Sequence, residues 1–422
     1  MSTDEALEVE YKVHEPARDL REVAEKIAQE QSLGGYEYAL HRGAGADEFA
    51  AEVVSLRWRD DIVGIRYPLE NLSTEEPSFA HLLNYVAGDV FGSRYFERIN
   101  VHAVRFPPSL AAAFGGPRFG IEGIRERAGV TEDRPMLGMI LKPSLGLAPE
   151  RIAELVGAGV RGGVDLIKED EKLVDPAYCP FEERLDAVVG ALRGAEAGEA
   201  PLYVLNVTDR LEAFTDYVAE HDVSDVLDRF VLLGTVVSLG FDRFAGLADH
   251  DLDADVDLPV YAHRAGHAAY TRTEHGIDMP VIETLSRLAG ADFAHCGTVA
   301  GSHPREVEEV FSNHRALVRD WHGLAPTMPV VSGGVNPSNI GENAAQFQRD
   351  AADLVFMIGT GIYATTEGVS APDARLEEVE LGIRANRQAI EAAVEGVPVE
   401  DIESGQTRGY DAMYEWLVSV ED

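Results

Sequence analysis

Apolar positions along the chain follow two regimes that meet near Phe119. In the first, residues 16–29 place Leu20, Val23, Ala24 and Ile27 at helical spacing, behind a proline suited to a first helical turn. Residues 51–67 read as two short strands flanking the polar Arg59-Asp60-Asp61. Residues 78–87 read as a helix that follows Pro77 and stops at Gly88, and 99–106 as a strand. These elements predict an α+β domain over residues 1–117. Beyond it, short apolar runs alternate with helical stretches. After Pro135 eight runs have strand character: 136–141, 164–167, 202–206, 230–237, 258–262, 292–295, 329–331 and 354–358. Segments such as 149–160 and 279–289 fit helices between them. Eight such units predict an α/β fold, a (β/α)8 barrel over residues 118–422.

The residues at the ends of these runs sharpen the picture. The first run ends in Lys142, the second in Lys168-Glu169-Asp170-Glu171, the third in Asn206 and the fifth in His263-Arg264. The sixth ends in His295, the seventh in Ser332-Gly333-Gly334 and the eighth in Gly359-Thr360-Gly361. Chemistry in such a barrel is built at the carboxyl ends of the strands. A strand buried on both faces should be almost continuously apolar, so a lysine and three carboxylates closing the second run are costly without a site. Asp170 and Glu171 are hard oxygen ligands suited to Mg²⁺. Lys168, two residues before Asp170, projects to the same side of the strand and could complete the set as a carbamate. A salt-bridge cluster at a strand end is the alternative.

Composition adds one strong constraint. Asp and Glu total 74 against 36 Lys and Arg, a formal charge of -38, and only five of the basic residues are lysines. The acids are spread along the chain, as expected of a cytoplasmic protein from a salt-loving organism whose self-repulsion is screened by salt. Nucleic acid and anionic membrane are poor partners for such a charge. Cys179 and Cys296 form neither a disulfide framework nor a zinc motif. No apolar run approaches the ~18 residues of a membrane span.

Two of the five lysines, Lys142 and Lys168, end neighbouring strands. A desolvated lysine near cations can act as a base or polarise an oxygen, although pairing to a carboxylate across the barrel mouth would also explain Lys142. His263 and Arg264 suggest anion recognition, Arg by its forked donors, with His295 as a further donor. His267 alone carries little weight. The glycines at Ser332-Gly333-Gly334 and Gly359-Thr360-Gly361 follow the last two strands, where barrels of this kind cradle phosphate on backbone N–H groups.

Together these residues resemble the ribulose-1,5-bisphosphate carboxylase (RuBisCO) large-subunit superfamily over nearly the whole chain. The most specific piece is Gly162-Gly163-Val164-Asp165-Leu166-Ile167-Lys168-Glu169-Asp170-Glu171. In the amino-terminal part Tyr67-Pro68-Leu69, Gly88-Asp89-Val90-Phe91-Gly92 and Gly115-Gly116-Pro117 find counterparts. The resemblance implies a CO₂-derived carbamate on Lys168 that binds Mg²⁺ with Asp170 and Glu171, and Lys142 as the lysine of enolisation. It implies that Arg264 and His295 hold one phosphate, that Gly334 and the Gly359-Thr360 turn hold another, and that Asn206, His263, Ser332 and Gly333 fall on matching motif positions. Glu30 corresponds to an acid reaching the neighbouring subunit's active site, so a homodimer is the smallest assembly implied.

The departures narrow the expectation. The family's strand-six loop carries a lysine in a Gly-Lys-Leu-Glu-Gly context, which here reads Gly301-Ser302-His303-Pro304. Ser144 replaces a second lysine, Asp89 an asparagine, Gly35-Tyr36 a phosphate-contacting Thr-Trp, and Thr360 a glycine. Losing the lysine that would stabilise charge on incoming CO₂, while keeping the metal strand and Lys142, is similar to the RuBisCO-like proteins. The expected function is Mg²⁺-dependent enolisation or isomerisation of a small phosphorylated ketose or keto acid without CO₂ fixation. The alternatives are a carboxylase with an atypical strand-six loop, a decarboxylase or transcarboxylase of a 3-oxo sugar-acid phosphate, and a non-catalytic phosphosugar-binding protein.

Overall fold

The computed structural model describes residues 5–14, 19–34, 46–93, 95, 97–196, 200–249, 256–363 and 375–421. Gly35 and Tyr36 lie outside the described residues. Strand β1 (Ala6–His14) is central in the amino-terminal sheet, and β2 (Glu52–Arg57), β3 (Ile62–Pro68) and β4 (Arg98–Arg105) complete its first four members. β1 precedes the first element expected from the sequence, although Leu7, Val9, Tyr11 and Val13 alternate and are buried. β1 pairs antiparallel with both β3 and β4. The helix Leu20–Glu30 lays Leu20, Val23, Ala24 and Ile27 on this sheet, capped at its start by Asp19. The helix expected to stop at Gly88 runs from Phe79 to Gly92. Its later turns are fixed by tertiary bonds, from Tyr11 Oη to the Val86 carbonyl at 2.9 Å and from the Val90 amide to Gln31 Oε1 at 2.9 Å.

The barrel begins with β5 (Met136–Ile140), β6 (Leu166–Lys168), β7 (Leu202–Asn206), β8 (Phe230–Thr235) and β9 (Val260–His263). The short β10 (His275–Ile277) then leaves it and pairs in parallel with β4, joining the two halves of the chain. β11 (Phe293–His295), β12 (Met328–Val331) and β13 (Val355–Ile358) finish the circuit. Among the described residues these eight parallel strands close in the order β11-β12-β13-β5-β6-β7-β8-β9. The eight expected runs coincide with them to within a few residues; the fourth ends earlier than expected because Val236–Leu239 turns into a helix.

Alternation along the strands decides what reaches the barrel mouth. Leu166, Val204, Tyr261, Phe293, Val330 and Met357 belong to the interior layer, which Ile121 and Ile124 of the helix Gly120–Arg127 join. One pleat further along come Lys168, Asn206, His263, His295, Ser332 and Gly359. The odd members of the second run face outward. Ile167 packs in the outer core, and Glu169 lies under the helix Phe181–Arg193. There Glu169 Oε1 is 2.8 Å from Arg184 Nε, both side chains fully buried, and it accepts from Tyr203 Oη at 2.8 Å; Oε2 accepts the Asn206 amide at 2.8 Å. Glu169 thus pins β6 to β7 and to the helix. Among the described residues no helix is long and apolar enough to cross a membrane.

Removing one partner of a buried ion pair strands the other charge, which costs about 3–5 kcal/mol. Arg184→Met should lower unfolding stability by that order in a denaturant titration, and adding Glu169→Leu should recover part of the loss. Equal midpoints for wild type and Arg184→Met would contradict the assigned role.

Candidate active site at the carboxyl ends of the barrel strands

A cavity of about 540 Å³ opens where the strands end. Its wall includes Lys142, Lys168, Asp170, Glu171, His263, Arg264, His295, Ser332, Gly333, Gly334, Gly359 and Thr360, so the structure brings together most of the residues singled out from the sequence. Two do not join them. Asn206 is fully buried below, donating to the Asp170 carbonyl at 3.1 Å and accepting from the Thr208 amide at 3.1 Å, which places it as a support of the chain just beyond β6. Glu30 stands on the amino-terminal domain, paired with Lys26 and away from its own chain's cavity.

Lys168 is almost completely buried, and its amine donates to the Glu169 carbonyl at 2.8 Å. Burial pulls its pKa down to about 8, against the pull of Glu171 and Asp170 in the other direction. Lys142 Nζ lies 2.8 Å from Ser144 Oγ and 3.1 Å from Asp170 Oδ2, so the pairing considered for it from sequence is present in this structure. Burial raises the Asp170 carboxyl, but hydrogen bonds from Ser144 and the charge of Lys142 leave it below the usual range. A Cβ on Gly359 would come within 3.3 Å of Lys142 Cε, so this glycine makes room for the lysine.

Burial keeps His263 and His295 neutral, with Lys168 adding to the effect at His263 and His263 at His295. His263 Nδ1 accepts the Ala265 amide at 3.2 Å, which leaves its proton on Nε2, 3.5 Å from Glu171 Oε2. His295 is clamped between Ser332 Oγ at 2.8 Å and Tyr261 Oη at 2.9 Å. Arg264 makes no side-chain hydrogen bond or ion pair among the described residues, and its guanidinium passes the bare Gly297.

Ser302 and His303 of the strand-six loop and His267 also line the cavity, as do Lys172 and Arg305, which the sequence did not single out. The strand-seven glycines pack on the strand-six loop: at Gly334 (φ 88°) a Cβ would collide with the Ser302 backbone and hydroxyl, and at Gly333 (φ 120°) it would press on Thr298 at 3.2 Å. Three of the chain's five lysines face this one cavity. Counting Lys142, Lys168, Lys172, Arg264 and Arg305 against Asp170 and Glu171, it carries three excess positive charges inside a chain of formal charge -38. Such contrast focuses anions into the cleft.

This architecture defines a class, the (β/α)8 barrels that use lysines and carboxylates at the strand ends behind an amino-terminal sheet domain. The chain belongs to the RuBisCO large-chain family: residues 120–412 match the ribulose bisphosphate carboxylase large chain, catalytic domain, and residues 2–110 its amino-terminal domain. The ribulose bisphosphate carboxylase of Methanosarcina barkeri is 32% identical over 375 residues, covering 85% of this chain and 83% of that protein. The octameric RuBisCO of Pyrococcus horikoshii superposes with a TM-score of 0.85 at 28% identity, over 100% of this chain and 96% of that one. A RuBisCO-like protein of Alicyclobacillus acidocaldarius gives 0.79 at 28%, covering 99% of both.

Glu283 also escaped the sequence reading. It lies on the helix Met279–Leu288, is 2% exposed, and its Oε1 has no hydrogen-bond partner. Burial pushes its carboxyl from 4.5 up to about 8, only partly opposed by Arg264. Between those values the unfolded chain has released a proton that the folded chain keeps, so stability falls as pH rises through this window. Glu283→Gln should therefore gain stability over wild type from pH 5 to pH 8, reaching on the order of a few kcal/mol at the upper end. Parallel pH profiles of the denaturation midpoint would refute this.

Proposed function

We propose that the chain is a Mg²⁺-dependent enzyme that enolises or isomerises a small phosphorylated ketose or keto acid and does not fix CO₂. One observation carries the reading. The cavity joins Lys142, Lys168, Asp170 and Glu171, while its strand-six wall presents Ser302 and His303 and no lysine.

The residues suit the metal. Among the described residues no three His, Cys, Asp or Glu side chains group to hold an ion by themselves. Asp170 and Glu171 therefore need a further oxygen donor, and Lys168 can supply it. An amine whose pKa is about 8 is neutral in roughly one molecule in ten at pH 7, far more often than an ordinary lysine near 10.5. The neutral amine attacks CO₂, forming a C–N bond and releasing one proton, to leave an anionic carbamate. That carbamate, Asp170 and Glu171 would hold Mg²⁺, which when bound would supply positive charge beside the substrate carbonyl as the α-proton leaves.

The chain's own groups do the rest. Lys142 Nζ or the Lys168 carbamate carries the proton, and the ammonium can return it once the carbanionic carbon is formed. Neutral His263 stands with Nε2 3.5 Å from Glu171 Oε2, a polar neighbour to that carboxylate. Arg264, His295, Ser332 and the backbone of Gly333, Gly334, Gly359 and Thr360 anchor phosphate. On this reading the active site is completed in a homodimer, with Glu30 of the partner subunit at its rim.

A second reading is carboxylation, which the names of the sequence relatives favour. It requires another group to replace the missing strand-six lysine. Incubation with ribulose bisphosphate and ¹⁴CO₂ should give no acid-stable label, and steady incorporation would establish the second reading. Deuterium exchange at the α-carbon of phosphoketoses should require Mg²⁺. It should fall by about 10²–10⁴-fold in Lys142→Ala and Lys168→Ala, the usual effect of losing a proton carrier. Equal exchange in wild type and both variants, with ligand still bound, would leave a binding protein as the explanation.

A further inference from the structure

The strand-six loop differs from a mobile lid in how firmly it is held. Asn343, fully buried on the helix Ile340–Phe347, takes Thr298 Oγ1 at 2.7 Å and the amides of Val299 and Ala300 at 3.0 and 3.3 Å on its Oδ1. Its Nδ2 donates to the Ala300 carbonyl at 2.9 Å. Beyond this anchor the His303 amide reaches the Gly333 carbonyl at 3.2 Å, and the Arg305 amide reaches the Thr298 carbonyl at 2.9 Å. Gly301, at φ 148°, packs its Cα against the Gly333 and Gly334 backbone. The loop is thus tied at its base, its crown and its exit.

What this fixed loop delivers is Arg305. Its side chain is 20% exposed and lines the cavity with Arg264 and His267. Both arginines act on the same imidazole, since burial first, then Arg264 and, to a smaller extent, Arg305 bring His267 down to about 4. His267 is consequently neutral and adds no charge between them. Arg305 Nη1 forms a loose, partly exposed ion pair with Glu309 Oε1 at 3.7 Å on the helix Val307–Val318, and the same side chain also borders a second cavity of about 450 Å³ that includes Glu309; a pair this long leaves guanidinium donors for a ligand. Planar guanidiniums match phosphate oxygens two at a time.

We infer that Arg305 is a phosphate-binding residue, the second arm of a clamp whose first arm is Arg264, and that Asn343 is the positioning residue that fixes this arm. Arg305 stands three residues beyond Ser302, the position where the resemblance expects a lysine. The inference rests on the reading of the cavity as a phosphosugar site, and deepens it.

Titration calorimetry with ribulose 5-phosphate, in Mg²⁺ and bicarbonate, tests both and separates them. Arg305→Met should weaken binding about tenfold, which is about 1.4 kcal/mol, and Arg264→Met by at least as much. The double variant should lose less than the product of the two, because both arms hold one group. Asn343→Ala should weaken binding when Arg305 is present and change nothing further in the Arg305→Met background, an outcome that a merely structural asparagine would not give. Binding by Arg305→Met within twofold of wild type, with Arg264→Met impaired, would overturn the clamp and leave the phosphosugar reading standing. Wild-type binding by Arg264→Met as well would overturn both.

Discussion

The site depends on the two-residue period of a buried strand. Along β6 and its extension, Leu166, Lys168 and Asp170 point into the barrel, while Ile167 and Glu169 point at the surrounding helices. A single stretch of charge therefore serves two purposes. Glu169 is consumed by Arg184, Tyr203 and the Asn206 amide, which lock the strand end in place. Lys168 and Asp170 are left inside, on a rigid mount, at the edge of a dry layer of Leu166, Val204, Tyr261 and Phe293. Burial then shifts the Lys168 amine toward its neutral form, the form that the proposed carbamate chemistry requires. A register slip of one residue would exchange the two roles and abolish the site.

The second organising feature is charge contrast. The surface is strongly acidic, whereas the cavity gathers three of the five lysines with Arg264 and Arg305. On the proposed reading, carbamylation of Lys168 would exchange one positive for one negative charge and a bound Mg²⁺ would restore the two units, so the cavity's excess of three would be the same before and after assembly. An anionic substrate is attracted in either state. Salt screens the outer repulsion over about 10 Å or less, but acts less on the partly buried cations within.

Much of this was legible in the sequence, for physical reasons. The eight parallel strands are short apolar runs ended by polar residues, and both signals are local. The alternation that separates Glu169 from Lys168 is local too. β1 was as regular and was simply not read, whereas β10 is three residues long and owes its strand form to pairing with β4. The helix end misassigned to Gly88 depended on contacts with Tyr11 and Gln31, far away in sequence. In the site, the residues at strand ends and the strand-six loop stretch 301–304 were legible, whereas Lys172 and Arg305 were not. Arg305 reaches the cavity through a loop path fixed by distant partners such as Asn343 and Gly333, which no periodicity reports. Glu283 was hidden because a lone acid in an apolar helix face looks like a surface residue until the packing is known.

The family is established over both halves of the chain, and its members' names span carboxylases and RuBisCO-like proteins, so the chemistry has to be decided by the site itself. At the centre of the account is Lys168 as the buried amine that becomes a metal ligand. The direct measurement is ¹³C NMR of the protein in ¹³C-bicarbonate with and without Mg²⁺. The account predicts one carbamate resonance per chain that persists with Mg²⁺ and is missing from Lys168→Ala. No such resonance in the wild type, or the same resonance in Lys168→Ala, would contradict it.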